Sequence, residues 1–113
     1  MKYIYIAGPL EKPDPAINAR NAVQVANEVL NMGYIPFCPH LSLFWQYLVD
    51  RPYQDWINYD LEWLKKCDAL IRIPGESKGA DIECEAAKKM GIPIYFGLDG
   101  FVTSVNLQRK TPR

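Results

Sequence analysis

The chain has 113 residues, 49% of them hydrophobic, which suits one domain, 1–113, with a substantial core. Thirteen Lys and Arg offset thirteen Asp and Glu, so the formal net charge is zero. That balance argues against a polynucleotide binder, which needs a clustered basic surface. The three cysteines, Cys38, Cys67 and Cys84, lack CxxC spacing and read as reduced thiols of a cytoplasmic protein. The apolar run at the N-terminus is too short for a signal peptide or a membrane span, and there is no repeat or linker.

Tyr3 to Ala7 is a continuous apolar run, expected as a central parallel strand buried on both faces. Gly8-Pro9 ends it, and the proline-rich loop Leu10 to Pro15 follows. In an open α/β sheet this loop lies at the carboxyl edge, where ligands bind, so Gly8 and Pro9 are candidate substrate contacts. The loop lacks both the dinucleotide fingerprint and the P-loop pattern, and no cofactor is expected.

Ile17 to Met32 is the clearest helix, with Ala22, Val25, Ala26, Val29 and Leu30 on one stripe and Gly33 as its stop. Tyr34 to Cys38 is a short strand, placed at a sheet edge by Pro36, which cannot donate to a ladder. Leu41, Phe44, Trp45 and Leu48 fit a short aromatic helix. Trp45 reads either as a pocket wall that stacks a flat base or as packing on the sheet or a partner subunit. His40 has no Cys or His neighbour at ligand spacing, so a metal is not expected; a structural role and a pocket role both fit it.

Tyr53 to Lys66 is a further helix with the apolar stripe Ile57, Leu61 and Leu64. Asp60 shares a neighbouring stripe with Trp56 and Trp63. Its spacing fits a pocket acid with a raised pKa and fits a surface acid equally well. Asp68 opens the next strand and is a candidate substrate contact that could cap or orient rather than react.

Asp68 to Pro93 then reads as strand (Ala69 to Ile73), glycine-containing loop and helix (Ala80 to Met90), closed by Gly91 and Pro93. This arrangement brings a ligand to a helix N-terminus, with Ser77 and Gly79 in the loop. Glu83 is expected in the first turn, on the stripe of Ala80, Ala87 and Met90. The helix dipole is expected to keep it ionised while it points inward. Ile92 to Phe96 is a fourth strand. The segment from Gly97 fits a short strand or a helix and ends in Arg109, Lys110 and Arg113. Strands alternating with helices make this a single-domain α/β protein with a doubly wound, flavodoxin- or Rossmann-like parallel sheet of four to five strands.

Four segments, IYIAGP (Ile4 to Pro9), NYDLEWLKKCDAL (Asn58 to Leu70), PGESKGADIE (Pro74 to Glu83) and GIP (Gly91 to Pro93), together resemble the nucleoside 2-deoxyribosyltransferase superfamily. That superfamily includes the nucleoside 5'-monophosphate N-glycosidases, its hydrolytic branch. The resemblance implies catalytic roles for Glu83 at the anomeric carbon, for Asp60, and for Tyr5, which orients the glutamate. It places Ser77 where the hydrolytic branch holds a 5'-phosphate and the transferase branch has an aspartate. It sets Ser104 beside a neighbouring subunit's site and so implies a homodimer or higher oligomer. The implied substrate is a small nucleoside or nucleotide, with no polymer and no membrane partner. The chain departs from the hydrolytic branch after Gly8: Pro9, Leu10 and Glu11 replace Gly-Ser and a nearby Arg, so an unphosphorylated nucleoside is the alternative substrate. A deoxyribosyltransferase and a non-catalytic nucleotide sensor are the alternative functions.

Overall fold

The structure, a computed structural model, describes residues 1–110. Four strands, β1 (Tyr3–Ala7), β2 (Ile35–Phe37), β3 (Ala69–Arg72) and β4 (Ile94–Phe96), form one parallel sheet in the order β2-β1-β3-β4. Five helices flank it: α1 (Pro15–Asn31), α2 (Ser42–Leu48), α3 (Tyr53–Leu64), α4 (Lys78–Met90) and α5 (Gly97–Lys110). This is the doubly wound α/β domain expected, with β1 central and the Pro36 strand at the edge.

Ile4, Tyr5, Ile6 and Ala7 are all fully buried, and alternation divides them between two layers. Ile4 and Ile6 pack with Ala22, Ala26 and Val29 of α1 and Phe101 and Val105 of α5. Tyr5 and Ala7 pack on the other face with Leu64 of α3 and with Ala80 and Ala87 of α4. Each large side chain so buried stabilises the fold by about 1.5–3 kcal/mol.

Caps move the helix starts. Asp14 Oδ1 accepts from the backbone N–H groups of Ala16 (2.9 Å) and Ile17 (3.2 Å), and Pro15 takes the first helical position, so α1 begins before Ile17. Ser77 Oγ accepts from Ala80 N–H at 3.1 Å, so α4 begins at Lys78 rather than at Ala80. Gly91, at φ +74°, closes that helix in the left-handed conformation.

Two expectations change, and one left open is decided. Leu30, placed on the α1 stripe by its spacing, is exposed, because Ala22, Ala26 and Val29 already fill the contact with β1. Met90, the last residue of α4, is likewise exposed. The segment from Gly97 is a helix, anchored by Phe101 and Val105 four residues apart. Arg113, at the basic end, lies outside the described residues. No helix among the described residues is long and apolar enough to cross a membrane.

Candidate active site

Tyr5, Asp60 and Glu83 converge beneath the carboxyl edge of the sheet. Tyr5 leaves β1 toward the α3/α4 layer, and its hydroxyl donates a short hydrogen bond to Glu83 Oε2. Asp60 comes from the face of α3 that also buries Ile57 and Leu64. Glu83 is 6% exposed and Asp60 9% exposed, so both carboxyl groups are shielded from bulk water. Asp60 Oδ1 is buried with no hydrogen-bond partner. An orphaned buried acceptor costs free energy, and such a defect marks a place where a ligand or a proton completes the set.

Burial controls the electrostatics. Starting Lys78 at the first position puts Glu83 sixth in α4, in the second turn, where the helix-end charge has faded. Desolvation therefore wins over the dipole and pushes the Glu83 carboxyl up to about 8, with the charge of Asp60 adding to it. The Tyr5 hydroxyl and the Arg72 guanidinium act in the opposite direction. The expectation of a simply ionised Glu83 is corrected accordingly. Desolvation also raises Asp60 to about 7. Tyr5 is driven far above the ordinary phenol range, first by burial and then by Glu83 and Asp60, so it remains a proton donor.

The first loop is packed tightly against the loop that precedes α4. A Cβ on Gly8 would lie 2.8 Å from Ile73 Cβ, and a Cβ on Gly75 (φ +123°) would lie 2.7 Å from Pro9 Cγ. Only glycine allows either approach. His40 is buried, and its Nε2 lies 3.2 Å from Gly8 O and 3.0 Å from Pro9 O. Two carbonyls accept only, so Nε2 carries the proton and donates. Burial lowers the His40 pKa, which keeps the ring neutral. Its role is to pin the loop of Gly8 and Pro9.

Other candidate residues fall at different distances from the pair. Ser77 and Gly79 stand at the start of α4, and a Cβ on Gly79 would meet Tyr53 Oη at 3.2 Å. Trp45 is half-exposed and packs edge-on against Trp56 (5.0 Å between centroids) and Tyr59 (5.8 Å). Ring contacts continue inward, with Trp63 stacked on Phe37 (5.4 Å) and Phe37 tilted against Tyr5 (5.5 Å). Asp68 is not brought to the site. Its Oδ2 accepts from the N–H groups of Lys2 (2.7 Å) and Tyr3 (2.8 Å), at the amino edge of the sheet, because it precedes β3 rather than following it. These hydrogen bonds, from Tyr3 and then Lys2, lower its pKa. Ser104 is half-buried on α5, in the layer opposite Glu83.

Two residues missed in the sequence belong here. Tyr53 is four residues before Ile57 and seven before Asp60, a helical spacing that was available to be read. Arg72 ends β3 with its side chain only 11% exposed. Its guanidinium donates to Ile73 O, to Gly75 O (2.9 Å) and to Asp81 Oδ1 (3.1 Å), which fixes the loop before α4. A charged residue at the carboxyl end of a buried parallel strand was its signal.

Among the described residues no cluster of three or more His, Cys, Asp or Glu side chains is arranged to hold a metal. Shallow depressions lie on the outer faces of α4, between Lys78 and Lys89, and of α1, around Gln24. Ordinary solvated side chains line both, so the buried carboxylate pair, not surface concavity, marks the site.

The fold is that of the nucleoside 2-deoxyribosyltransferases. A 2-deoxyribosyltransferase from Leishmania mexicana superposes with a TM-score of 0.63 at 23% identity, over 85% of this chain and 63% of that one. A 2-deoxyribosyltransferase from Bacillus psychrosaccharolyticus gives 0.60 at 21% identity, over 83% of this chain and 70% of that one. The chain thus spans less than two thirds of the Leishmania enzyme. No curated protein matches it. A family model does match, over residues 2–97, and the chain belongs to that family, described as a domain of unknown function, DUF7768.

Proposed function

We propose that this chain breaks the N-glycosidic bond of a nucleoside or a nucleoside 5'-monophosphate, with Glu83 acting at the anomeric carbon. The observation that carries the reading is the buried pair Glu83 and Asp60, with Tyr5 donating to the first and nothing donating to Asp60 Oδ1. It is supported by the fold shared with deoxyribosyltransferases.

The chemistry follows from the asymmetry of the pair. Two shielded carboxyl groups in each other's field share one proton near neutral pH. Tyr5 and Arg72 both favour charge on Glu83, whereas Asp60 has no donor to stabilise its anion. Burial still leaves the proton mostly on Glu83, at about 8 against about 7 for Asp60, so the reactive form is the minor one in which that proton has passed to Asp60 and Glu83 is charged. Glu83 attacks C1', the bond from C1' to the base nitrogen breaks with its electron pair going to the base, and Asp60 gives the base a proton. Asp60 then takes a proton from water as that water attacks C1' and releases Glu83. Positive charge at C1' peaks in the transition state, where the Glu83 charge is worth most.

Hydrolysis is the main reading, and transfer to a second base is the alternative, since water and a base compete for the same glycosyl group. A sensor that only binds nucleotides is the non-catalytic alternative. The chain is proposed to be cytoplasmic, since Cys38, Cys67 and Cys84 are free thiols. A homodimer or higher oligomer is proposed from the exposed Leu41, Phe44, Tyr47 and Leu48 around α2. The test is a screen of nucleosides and their 5'-monophosphates for free base, with and without an acceptor base. Base release without acceptor supports hydrolysis, and release only with acceptor supports transfer. No release from any substrate would remove the enzymatic reading.

A further inference from the structure

His40 and Arg72 hold the two loops of the carboxyl edge from either side of β1. His40 lies in the turn Pro39–Leu41 after β2, Arg72 ends β3, and those strands flank β1. His40 Nε2 lies 3.2 Å from Gly8 O and 3.0 Å from Pro9 O, and the Arg72 guanidinium donates to Ile73 O and to Gly75 O at 2.9 Å. The four residues so held touch in pairs. A Cβ on Gly8 would lie 2.8 Å from Ile73, and a Cβ on Gly75 would lie 2.7 Å from the Pro9 ring. Two rungs therefore join the two donors, one through Gly8 and Ile73, the other through Pro9 and Gly75.

Each end of this bridge is anchored. With the proton on Nε2, the Nδ1 atom of His40 accepts, and Cys38 Sγ stands 3.8 Å from it as a donor. At the other end, Arg72 also reaches Asp81 Oδ1 at 3.1 Å, in the first turn of α4. Ser77, two residues after Gly75, starts that helix. Its Oγ accepts from Ala80 N–H at 3.1 Å and its carbonyl accepts from Asp81 N–H at 3.0 Å. Glu83 follows on the same rigid helix. The cap that sets the helix start is thus tied, through packed and hydrogen-bonded neighbours, to a ring far away in sequence.

We propose that His40 is a positioning residue for Glu83, acting through the two rungs and Arg72 without touching the substrate. The inference rests on the glycosidic reading only for what Glu83 does once it is placed.

The experiment is amide hydrogen exchange on the full chain, read at Ala80 and Asp81. It uses wild type, His40→Leu, His40→Gln, His40→Asn, Arg72→Met and the double variant of His40→Leu with Arg72→Met. A Gln amide nitrogen stands where Nε2 stands and donates, whereas that of Asn reaches only the place of Nδ1. His40→Leu and His40→Asn should speed exchange at both amides by about tenfold, as expected for lost hydrogen bonds to the loop. Phe101 and Val105, in the opposite layer, should exchange as in wild type. His40→Gln should restore slow exchange. Arg72→Met should speed it as well, and the double variant should show less than the product of the two effects. Unchanged exchange at Ala80 and Asp81 in His40→Leu overturns the proposal. So does equal acceleration at Phe101 and Val105, which marks general destabilisation, or a fully multiplicative double variant. If His40→Leu does not fold, the contrast between Gln and Asn decides, and equal behaviour of those two overturns it. On a substrate the wild type cleaves, His40→Leu should lower kcat about tenfold and leave KM within about threefold. A rise in KM alone would make His40 a substrate contact and overturn it too. Exchange is read without substrate, so a chain with this exchange pattern that releases no base defeats the catalytic reading and leaves the bridge standing.

Discussion

On the α1/α5 face, β1 contributes Ile4 and Ile6 to a layer of aliphatic side chains closed by Phe101 and Val105. On the α3/α4 face the same strand contributes Tyr5, whose hydroxyl meets a buried carboxylate beside a second acid. The two layers are equally dry at β1 but differ in what they hold. The first is built from apolar groups whose burial stabilises. The second contains two acids that burial destabilises and one oxygen with no partner. A protein keeps such groups inside where they perform chemistry, and function is thereby confined to one side of the sheet.

The largest expected effect on this contrast is Glu83→Gln, which keeps the shape and removes the charge. Base release from a substrate the wild type cleaves should fall by about a thousandfold or more, with the circular dichroism spectrum unchanged. Wild-type rates in that variant would put the chemistry elsewhere. Asp60→Asn should cost roughly a hundredfold, and most with poor leaving bases, because the lost group is the proton donor. A uniform loss across bases would assign Asp60 to folding or binding instead. Tyr5→Phe should cost about tenfold and displace the acid limb of the pH–rate profile upward, since Glu83 loses the donor that favours its charge. An unshifted profile would contradict that role.

Smaller effects separate the layers by stability. The Glu83 carboxyl is raised in the folded state to about 8 from an ordinary 4.5, so the folded chain binds the extra proton. Its contribution is complete below about pH 4.5 and is lost as pH rises toward 8. Asp60, raised to about 7, adds a fall of the same sign up to that pH, and neutral His40 opposes both below 6.5, so the window in which Glu83 acts alone is about pH 7 to 8. Urea melts should show stability falling through that window. Glu83→Gln should flatten the fall and be more stable than wild type by roughly 1–3 kcal/mol at pH 8. On the other layer, Ile6→Val should cost about 0.5–1.5 kcal/mol at every pH in the window and leave base release unchanged. A loss of activity there would show that the two faces are not separate.

The sheet was legible because local rules governed it. A both-faces-buried strand leaves an unbroken apolar run at Tyr3 to Ala7, and Pro36 can sit only at an edge. Glu83 was legible because Ala80 and Ala87 bracket it on one face. Its protonation was not, since that depends on depth: one shifted cap, Ser77, moved the carboxylate two residues further from the helix end, into the second turn. Spacing left Asp60 between a pocket and the surface, because the same pattern serves both until α4 is packed against α3. The spacing of Tyr53 and the strand-end position of Arg72 could be read, but what each touches, Gly79 and Asp81, could not. Asp68 was misplaced because a residue flanking a strand can lie at either sheet edge, and only strand direction decides which.

The most direct test of Glu83 at the anomeric carbon is to trap it there. A nucleoside carrying fluorine at C2' destabilises positive charge at C1' and slows release of the bound sugar by water. After incubation with such an analogue, digestion and mass spectrometry should find the fluorosugar as an ester on the peptide containing Glu83, with one equivalent of base set free. Base release with the sugar attached to another residue, or with no attachment at all, would contradict the account.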